Sequence, residues 1–413
     1  MNILRISTAG SVDDGKSTLI GRLLYDTQSL SKDKIENIKS ISEQRGLNEM
    51  DLSLITDGLT AEREQGITID VAHIYFNTPN RKYIVADSPG HVEYTRNMIT
   101  GASNASVFMI LIDARNGIIE QTKRHLFIAS LMEIKNIVFV INKMDLVDYS
   151  EDRFNEIKKE LKVLETKFNL SNRELTFIPV SAKVGDNVAS KSEEMSWYSG
   201  SSLLDYLENV KILEDESAFR FNVQYVIRPQ SDDFHDFRGY AGKVVSGSVK
   251  VGDEIAVLSS DQTSKIKAIH KYDNPLLKAR TGDSVTLELE DDIDISRGDL
   301  LSLQPEKFTG LKSIKSKICW LGKEDLVPAK KYILQYGSSK VAVKVAAINS
   351  QLDFDSLAFE KLPESVSVNS ISEIDFKSAS PIYLDDYAIN KKNGYFVLID
   401  EQSNATVGVG FKE

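Results

Sequence analysis

Gly10-Ser11-Val12-Asp13-Asp14-Gly15-Lys16-Ser17, followed by Thr18, matches the phosphate-loop pattern G-x-x-x-x-G-K-[ST]. The apolar run Ile3–Thr8 before it reads as a strand, and Leu19, Ile20, Leu23 and Leu24 after it as one face of a helix. That order suits the chemistry. Glycines let successive backbone N–H groups turn toward an anion, and the helix N-terminus adds partial positive charge. Gly10 through Thr18 are therefore candidate contacts to a nucleoside triphosphate. Lys16 is expected on the β- and γ-phosphates, and the Ser17 hydroxyl on Mg²⁺. The loop alone leaves the base open.

The base is read further along. Asn142-Lys143-Met144-Asp145 closes the apolar run Ile137–Ile141. A carboxylate at Asp145 accepts from both N1–H and the 2-amino group of guanine, a pair of donors that adenine lacks. Lys143 is expected along the base plane. Ser181-Ala182-Lys183 follows another strand and offers a backbone N–H to the guanine O6. The cofactors implied are GTP and Mg²⁺. Between these motifs, Asp87-Ser88-Pro89-Gly90-His91 follows the strand Tyr83–Ala86. Asp87 suits a Mg²⁺-bound water and Gly90 N–H the γ-phosphate. His91 is either next to the attacking water or a surface histidine, and its residue type leaves both open. Upstream, Thr68 in Glu62-Arg63-Glu64-Gln65-Gly66-Ile67-Thr68-Ile69 offers a second hydroxyl to Mg²⁺, on a loop of the kind that γ-phosphate orders. Read alone, that segment is better taken as a charged, solvated lead into a strand.

Outward from the loop, strand-like runs alternate with helical patterns through about Val210, including Phe154, Ile157, Leu161, Leu164 and Phe168 at three/four spacing. This predicts an α/β phosphate-loop domain, a mostly parallel sheet with helices on both faces, over 1–213. From 218 to 304 short β-rich stretches are punctuated by Gly252-Asp253, Gly282-Asp283 and Gly298-Asp299, and they predict a β-barrel. A second barrel is expected over 309–413, and the polar stretch Glu214–Ser217 is a candidate hinge. The 413 residues suit several domains. No apolar run reaches 18 residues and the N-terminus lacks a signal-peptide core, so a cytoplasmic chain with no membrane contact is expected. Cys319 is the only cysteine, which excludes an internal disulfide framework. A formal charge of −11 makes nucleic acid a poor default partner.

Taken in order, these motifs resemble those of translation-type, elongation-factor-like GTPases. The intervening segments narrow the resemblance. Asp57-Gly58-Leu59, Ala61–Ala72, Gly10–Leu24, Tyr94–Met98, Ile112–Arg115 and Gln121–His125 are similar to the GTPase subunits of bacterial sulfate adenylyltransferase, the CysN family. So are Gln224–Pro229, Asp236–Gly242, Asn393–Asp400 and Asn404–Gly408. The resemblance is specific over most of 1–303 and fades after Leu303, before those last segments.

The resemblance implies a subunit that hydrolyses GTP while a smaller catalytic partner of the CysD type makes adenosine 5′-phosphosulfate and pyrophosphate from ATP and sulfate. It carries nucleotide roles onto Lys16, Ser17, Thr68, Asp87, His91, Asn142, Lys143 and Asp145. Of these, Lys16, Thr68 and His91 are the catalytic candidates, and Ser17, Thr68 and (through water) Asp87 the Mg²⁺ candidates. Ser88 stands where the family usually has threonine, and no fused adenylylsulfate kinase is expected after the second barrel. No second nucleotide motif appears, so the sulfate chemistry is expected in another chain. Two other readings share the motifs: an elongation factor carrying aminoacyl-tRNA, and a regulatory GTP-binding module without hydrolysis.

Overall fold

The computed structural model describes residues 3–44, 50–55, 72–88, 95–102, 104–168, 170–212, 217–229, 237–272, 274–304, 306, 308–353, 356, 358–361 and 363–413. Residues 214–216 of the candidate hinge and the whole loop 62–69 around Thr68 lie outside them. The chain divides into two compact units, Met1–Ile212 and Leu213–Glu413.

The first unit is built on six strands: β1 (Ile3–Ala9), β2 (Ala72–Asn77), β3 (Lys82–Asp87), β4 (Val107–Asp113), β5 (Asn136–Asn142) and β6 (Glu174–Pro179). They lie in the order β2-β3-β1-β4-β5-β6. Only β2 runs antiparallel to its neighbour. Every residue of β4 and β5 is buried, which is why both read as unbroken apolar runs rather than alternating ones. Helices α1 (Lys16–Asp26), α2 (Lys32–Gln44), α3 (Thr95–Ala102), α4 (Glu120–Leu131), α5 (Glu151–Lys167) and α6 (Leu203–Asn209) complete the unit. The ends of α5 are set by its sequence. Ser150 caps it by accepting from Arg153 N at 3.2 Å, acidic Glu151 and Asp152 occupy its first turn, and Lys167 sits in its last. Its buried stripe is Phe154, Ile157 and Leu161.

The second unit holds two barrels. The first has β7 (Arg220–Ile227), β8 (Gly239–Ser246), β9 (Ser248–Lys250), β10 (Glu254–Val257), β11 (Thr263–Lys271), β12 (Asn274–Leu276), β13 (Lys278–Arg280), β14 (Ser284–Leu289) and β15 (Leu300–Leu303). Strands β10-β15-β7-β8-β14-β11 close into a six-membered ring, because β10 also pairs with β11. The three Gly-Asp pairs are turns of one design. Each glycine has φ near +90 to +100°: 89° at Gly252, 92° at Gly282 and 102° at Gly298. Each following aspartate accepts the amide three residues before it: Lys250 N to Asp253 at 2.8 Å, Arg280 N to Asp283 at 2.9 Å and Ser296 N to Asp299 at 2.7 Å.

The second barrel has β16 (Leu311–Trp320), β17 (Lys331–Tyr336), β18 (Ser339–Asp353), β19 (Ala358–Lys361), β20 (Ile371–Ile382), β21 (Tyr395–Ile399) and β22 (Thr406–Lys412). Its ring is β17-β21-β22-β16-β20-β18, closed by β17 on β18. Trp320, Tyr332, Phe376 and Phe396 fill it, and Cys319 on β16 is fully buried. Burial pushes the Cys319 thiol up to about 12.

Arg220, at the start of β7, is 1% exposed yet uses all its donors. Its guanidinium gives two bonds to Glu306 (2.8 and 2.7 Å), two to Asp385 (3.1 and 2.8 Å) and one to Phe219 O (2.9 Å). The ring of Phe308 covers it at 4.4 Å. Asp385 also accepts from Asn390 and Asn393, each at 2.9 Å. Two residues on, Asn222 accepts from Ser338 N at 3.2 Å, so both ends of this seam tie β7 to the second barrel.

Candidate nucleotide-binding site

Three of the five parallel strands end on a polar residue at their carboxyl ends, where open α/β sheets bind ligands. β1 runs into the phosphate loop, β3 ends at Asp87, β4 at Asp113 and β5 at Asn142, while β6 leads to Ser181 just beyond. In the loop, Asp13 and Gly15 take positive φ (72° and 89°). Gly15 is required twice over, since a Cβ there would stand 2.5 Å from Asn142 Nδ2. Lys16 is 8% exposed, and its ammonium reaches back to Gly10 O at 3.3 Å. It makes no ion pair with any described residue. Asp14 is 4% exposed and its carboxylate accepts Ser11 N–H at 2.5 Å. Burial pushes the Asp14 carboxyl up to about 6, against the pull of that N–H and of Lys16.

The end expected to read the base is pre-assembled by one amide side chain. Asn142 Nδ2 donates to Asp14 O at 2.8 Å, and Asn142 Oδ1 accepts from Ala182 N at 3.0 Å. The phosphate loop and the Ser181–Lys183 loop, far apart in sequence, are thereby fixed to one residue of β5. Lys143 sits at φ 64° and donates to Asp13 O and to the Asp113 carboxylate, the latter at 3.0 Å. Asp145 accepts from Ser181 Oγ at 2.6 Å, and Val184 N steadies that hydroxyl at 3.3 Å. A carboxylate held this way keeps acceptor capacity for two further donors.

Asp87 is 2% exposed and takes the Thr8 hydroxyl at 2.7 Å. Next to it the buried Ser88 Oγ has no hydrogen-bond partner among the described residues. The structure thus brings together Gly10–Thr18, Asp87, Asn142, Lys143, Asp145 and Ser181–Lys183. Thr68, Gly90 and His91 lie outside the described residues. The hard oxygens of Ser17 and Asp87 suit Mg²⁺, which takes few protein ligands and completes its shell with phosphate and water.

Two contributors have no motif to announce them. Asp113 pairs with Lys143 and, at 2.6 Å, with Arg115. Burial raises its carboxyl, and the Arg115 and Lys143 hydrogen bonds more than reverse this, holding it at about 2. Its signal was positional: two adjacent apolar strands, Val-Phe-Met-Ile-Leu-Ile-Asp and Asn-Ile-Val-Phe-Val-Ile-Asn, end in register on polar residues, Asp113 opposite Asn142. Thr8 is the other, a hydroxyl that follows Ser7 near the end of β1.

Residues 1–214 match the family model described as the elongation factor Tu GTP binding domain, and residues 313–412 match the GTP-eEF1A C-terminal domain-like model. Sulfate adenylyltransferase subunit 1 of Aliivibrio fischeri (strain MJ11) is 46% identical over 414 residues, covering 99% of this chain and 85% of that protein. The chain belongs to the sulfate adenylyltransferase subunit 1 family. The bifunctional enzyme CysN/CysC of Mycobacterium tuberculosis (strain ATCC 25618 / H37Rv) is 43% identical, and the match covers 99% of this chain and 67% of that longer protein. The fold of this chain is similar to that of the GTPase-like domain of S. cerevisiae Ski7. That crystal structure superposes with a TM-score of 0.52 at 18% identity, over 100% of this chain and 97% of that one. No helix among the described residues is long and apolar enough to cross a membrane.

Proposed function

We propose that this chain is the GTP-binding and GTP-hydrolysing subunit of a two-subunit sulfate adenylyltransferase. In this reading it works in the cytoplasm with a small catalytic subunit of the CysD type. The pair converts ATP and sulfate to adenosine 5′-phosphosulfate and pyrophosphate, an unfavourable reaction that GTP hydrolysis drives. The observation that carries the reading is a guanine-type nucleotide site in a chain 46% identical, along 99% of its length, to a protein named as subunit 1 of that enzyme.

The residues take the following parts. The amides of Gly10–Thr18 and the Lys16 ammonium cradle the phosphates, and Asp145 with the Ser181–Lys183 loop selects guanine. Ser17 and Thr68 hydroxyls, with Asp87 through water, hold Mg²⁺, which offsets the charge of the β- and γ-phosphates. His91 orients the attacking water, and the Gly90 N–H senses the γ-phosphate. Phosphoryl transfer depends mainly on such positioning and electrostatics. Hydrolysis releases the Thr68 and Gly90 segments. A partner that prefers one arrangement is then biased by its difference in affinity for the two.

The test is pyrophosphate release from ATP and sulfate by the purified pair, with GTP, with a non-hydrolysable GTP analogue, and with neither. GTP is expected to raise rate and yield, the analogue to give no sustained drive, and this chain alone to make no product. Sulfate activation by this chain alone, or a pair indifferent to GTP, overturns the reading.

A further inference from the structure

We propose that the Asp14 side chain is a built-in anion of the phosphate loop, a counter-ligand that weakens the loop's hold on guanine nucleotide and speeds its release. The inference rests on the nucleotide-site reading above and adds to it. The amide of Asp14 belongs to the cradle, while its carboxylate opposes what the cradle binds.

Among the described residues three carboxylates are buried, those of Asp14, Asp87 and Asp113. Asp113 is answered by Lys143 and Arg115. Asp87 is the carboxylate expected to serve Mg²⁺. Asp14 has neither kind of partner. It makes no ion pair with any described residue, and a single neutral donor holds its carboxylate, the Ser11 N–H at 2.5 Å. Burying a charge without a counter-charge is costly, so this carboxylate is the odd one of the three.

The backbone that carries it is fixed. Asp13 and Gly15 on either side take positive φ, and Asn142 Nδ2 holds the Asp14 carbonyl at 2.8 Å. The carboxylate lies within the loop: a Cβ on Gly10 would stand 3.4 Å from Asp14 Oδ2 and 3.3 Å from Cγ of Lys16. Carboxylate and lysine stem thus flank one backbone position. The Lys16 ammonium, expected on the β- and γ-phosphates, turns back to Gly10 O at 3.3 Å. Asp14 and Lys16 attract each other, so Asp14 competes with phosphate for the loop's own cation.

A polyphosphate seated on these amides brings several negative charges beside that carboxylate. Like charges in one buried site are not all kept ionised without cost. Either the repulsion stands, or a proton from solvent settles on Asp14. Both lower affinity at a pH where the empty site is ionised. The charged groups that face Asp14 are Lys16 at the start of α1, Asp113 at the end of β4 and Lys143 just after β5. The two lysines offset only part of the burden, since burial pushes the carboxyl up to about 6 in their presence.

The experiment measures the affinity and the release rate of N-methylanthraniloyl-GDP, chased with excess GDP in Mg²⁺, for the full-length chain. Wild type is compared with Asp14→Asn and Asp14→Ser at pH 8 and at pH 5.5. Both variants keep an oxygen that can accept the Ser11 N–H, and neither carries charge. At pH 8 they are expected to bind about 10- to 100-fold more tightly than wild type, the range for removing one like charge in a partly buried site. Most of the change should lie in slower release. At pH 5.5 the wild-type carboxyl is protonated, and the margin should shrink to about twofold or less. A side chain that only shapes the loop gives the opposite pattern, weaker binding in the variants by a margin that ignores pH. Variants that bind no more tightly than wild type at pH 8, or a margin unchanged at pH 5.5, overturn the proposal while the nucleotide site stands. A wild type that binds neither GDP nor GTP overturns the site reading itself and takes the proposal with it.

Discussion

The two units bury charge in opposite ways. In the first, Asp14, Lys16, Asp87 and Asp113 are each under 10% exposed and gather at one edge of the parallel sheet. Asp113 is answered by Lys143 and Arg115, but among the described residues Lys16 has only the Gly10 carbonyl. In the second, Arg220 is as deeply buried, but two carboxylates, a carbonyl and an aromatic ring satisfy every donor it has. Burying a charge is costly unless it is paired. A site with buried charge still open to a partner is therefore arranged for a ligand, and a fully answered charge is arranged for the fold. The contrast separates function from architecture without reference to any motif.

The largest expected effect breaks the open side. Asp145→Asn replaces an acceptor of two donors by an amide that leaves one of them unmet. The preference for GTP over xanthosine triphosphate is expected to swing by about 10⁴-fold, the range for a site that reads a hydrogen-bonding group. Competition between the two nucleotides on wild type and variant measures it, and a variant that still prefers GTP by the wild-type margin removes Asp145 from base reading.

That half of the candidate site could be proposed from residue order alone, because phosphate loops and guanine loops are local patterns whose chemistry needs contiguous residues. The fold was legible for the same kind of reason. The buried β4 and β5 announce themselves as apolar runs, and Gly252, Gly282 and Gly298 mark turns that need positive φ. The partners of Asp113 and Arg220 were not legible. Lys143 lies 30 residues from Asp113, and Asp385 lies 165 residues from Arg220. Only the folded chain brings such partners together, and no spacing rule connects them.

A smaller effect tests the answered side. Arg220→Gln should lower the stability of the second unit by about 3–5 kcal/mol, since Glu306 and the largely buried Asp385 lose their counter-charge. Nucleotide affinity should not move. The chain's two tryptophans, Trp197 in the first unit and Trp320 in the second, allow urea unfolding to be followed in each unit by removing one of them at a time. A loss confined to the first unit would refute the assignment.

The smallest effect concerns Asp14. Its carboxyl titrates near 6 in the folded chain, above its ordinary value of 3.8, so the folded state holds the proton over a pH range where the unfolded state has released it. Stability is therefore expected to fall as pH rises from about 4 to 6, by about 1–3 kcal/mol from this group. Asp14→Asn should remove that part of the slope. The difference between wild type and variant in urea midpoints at pH 4.5 and 6.5 reads it directly, and parallel profiles would show that Asp14 is ionised in both states.

Cys319 has a practical consequence for following these motions. The chain's only thiol is enclosed in the core of the second barrel, with its ionisation pushed to about 12. An alkylating reagent reaches it only when that barrel opens, since the thiolate is the reactive form and the closed core excludes both water and reagent. The rate of its labelling thus counts openings of one barrel within the whole molecule, without any engineered probe. It also leaves the surface free of competing thiols, so that a cysteine introduced at an exposed position can carry a dye of its own.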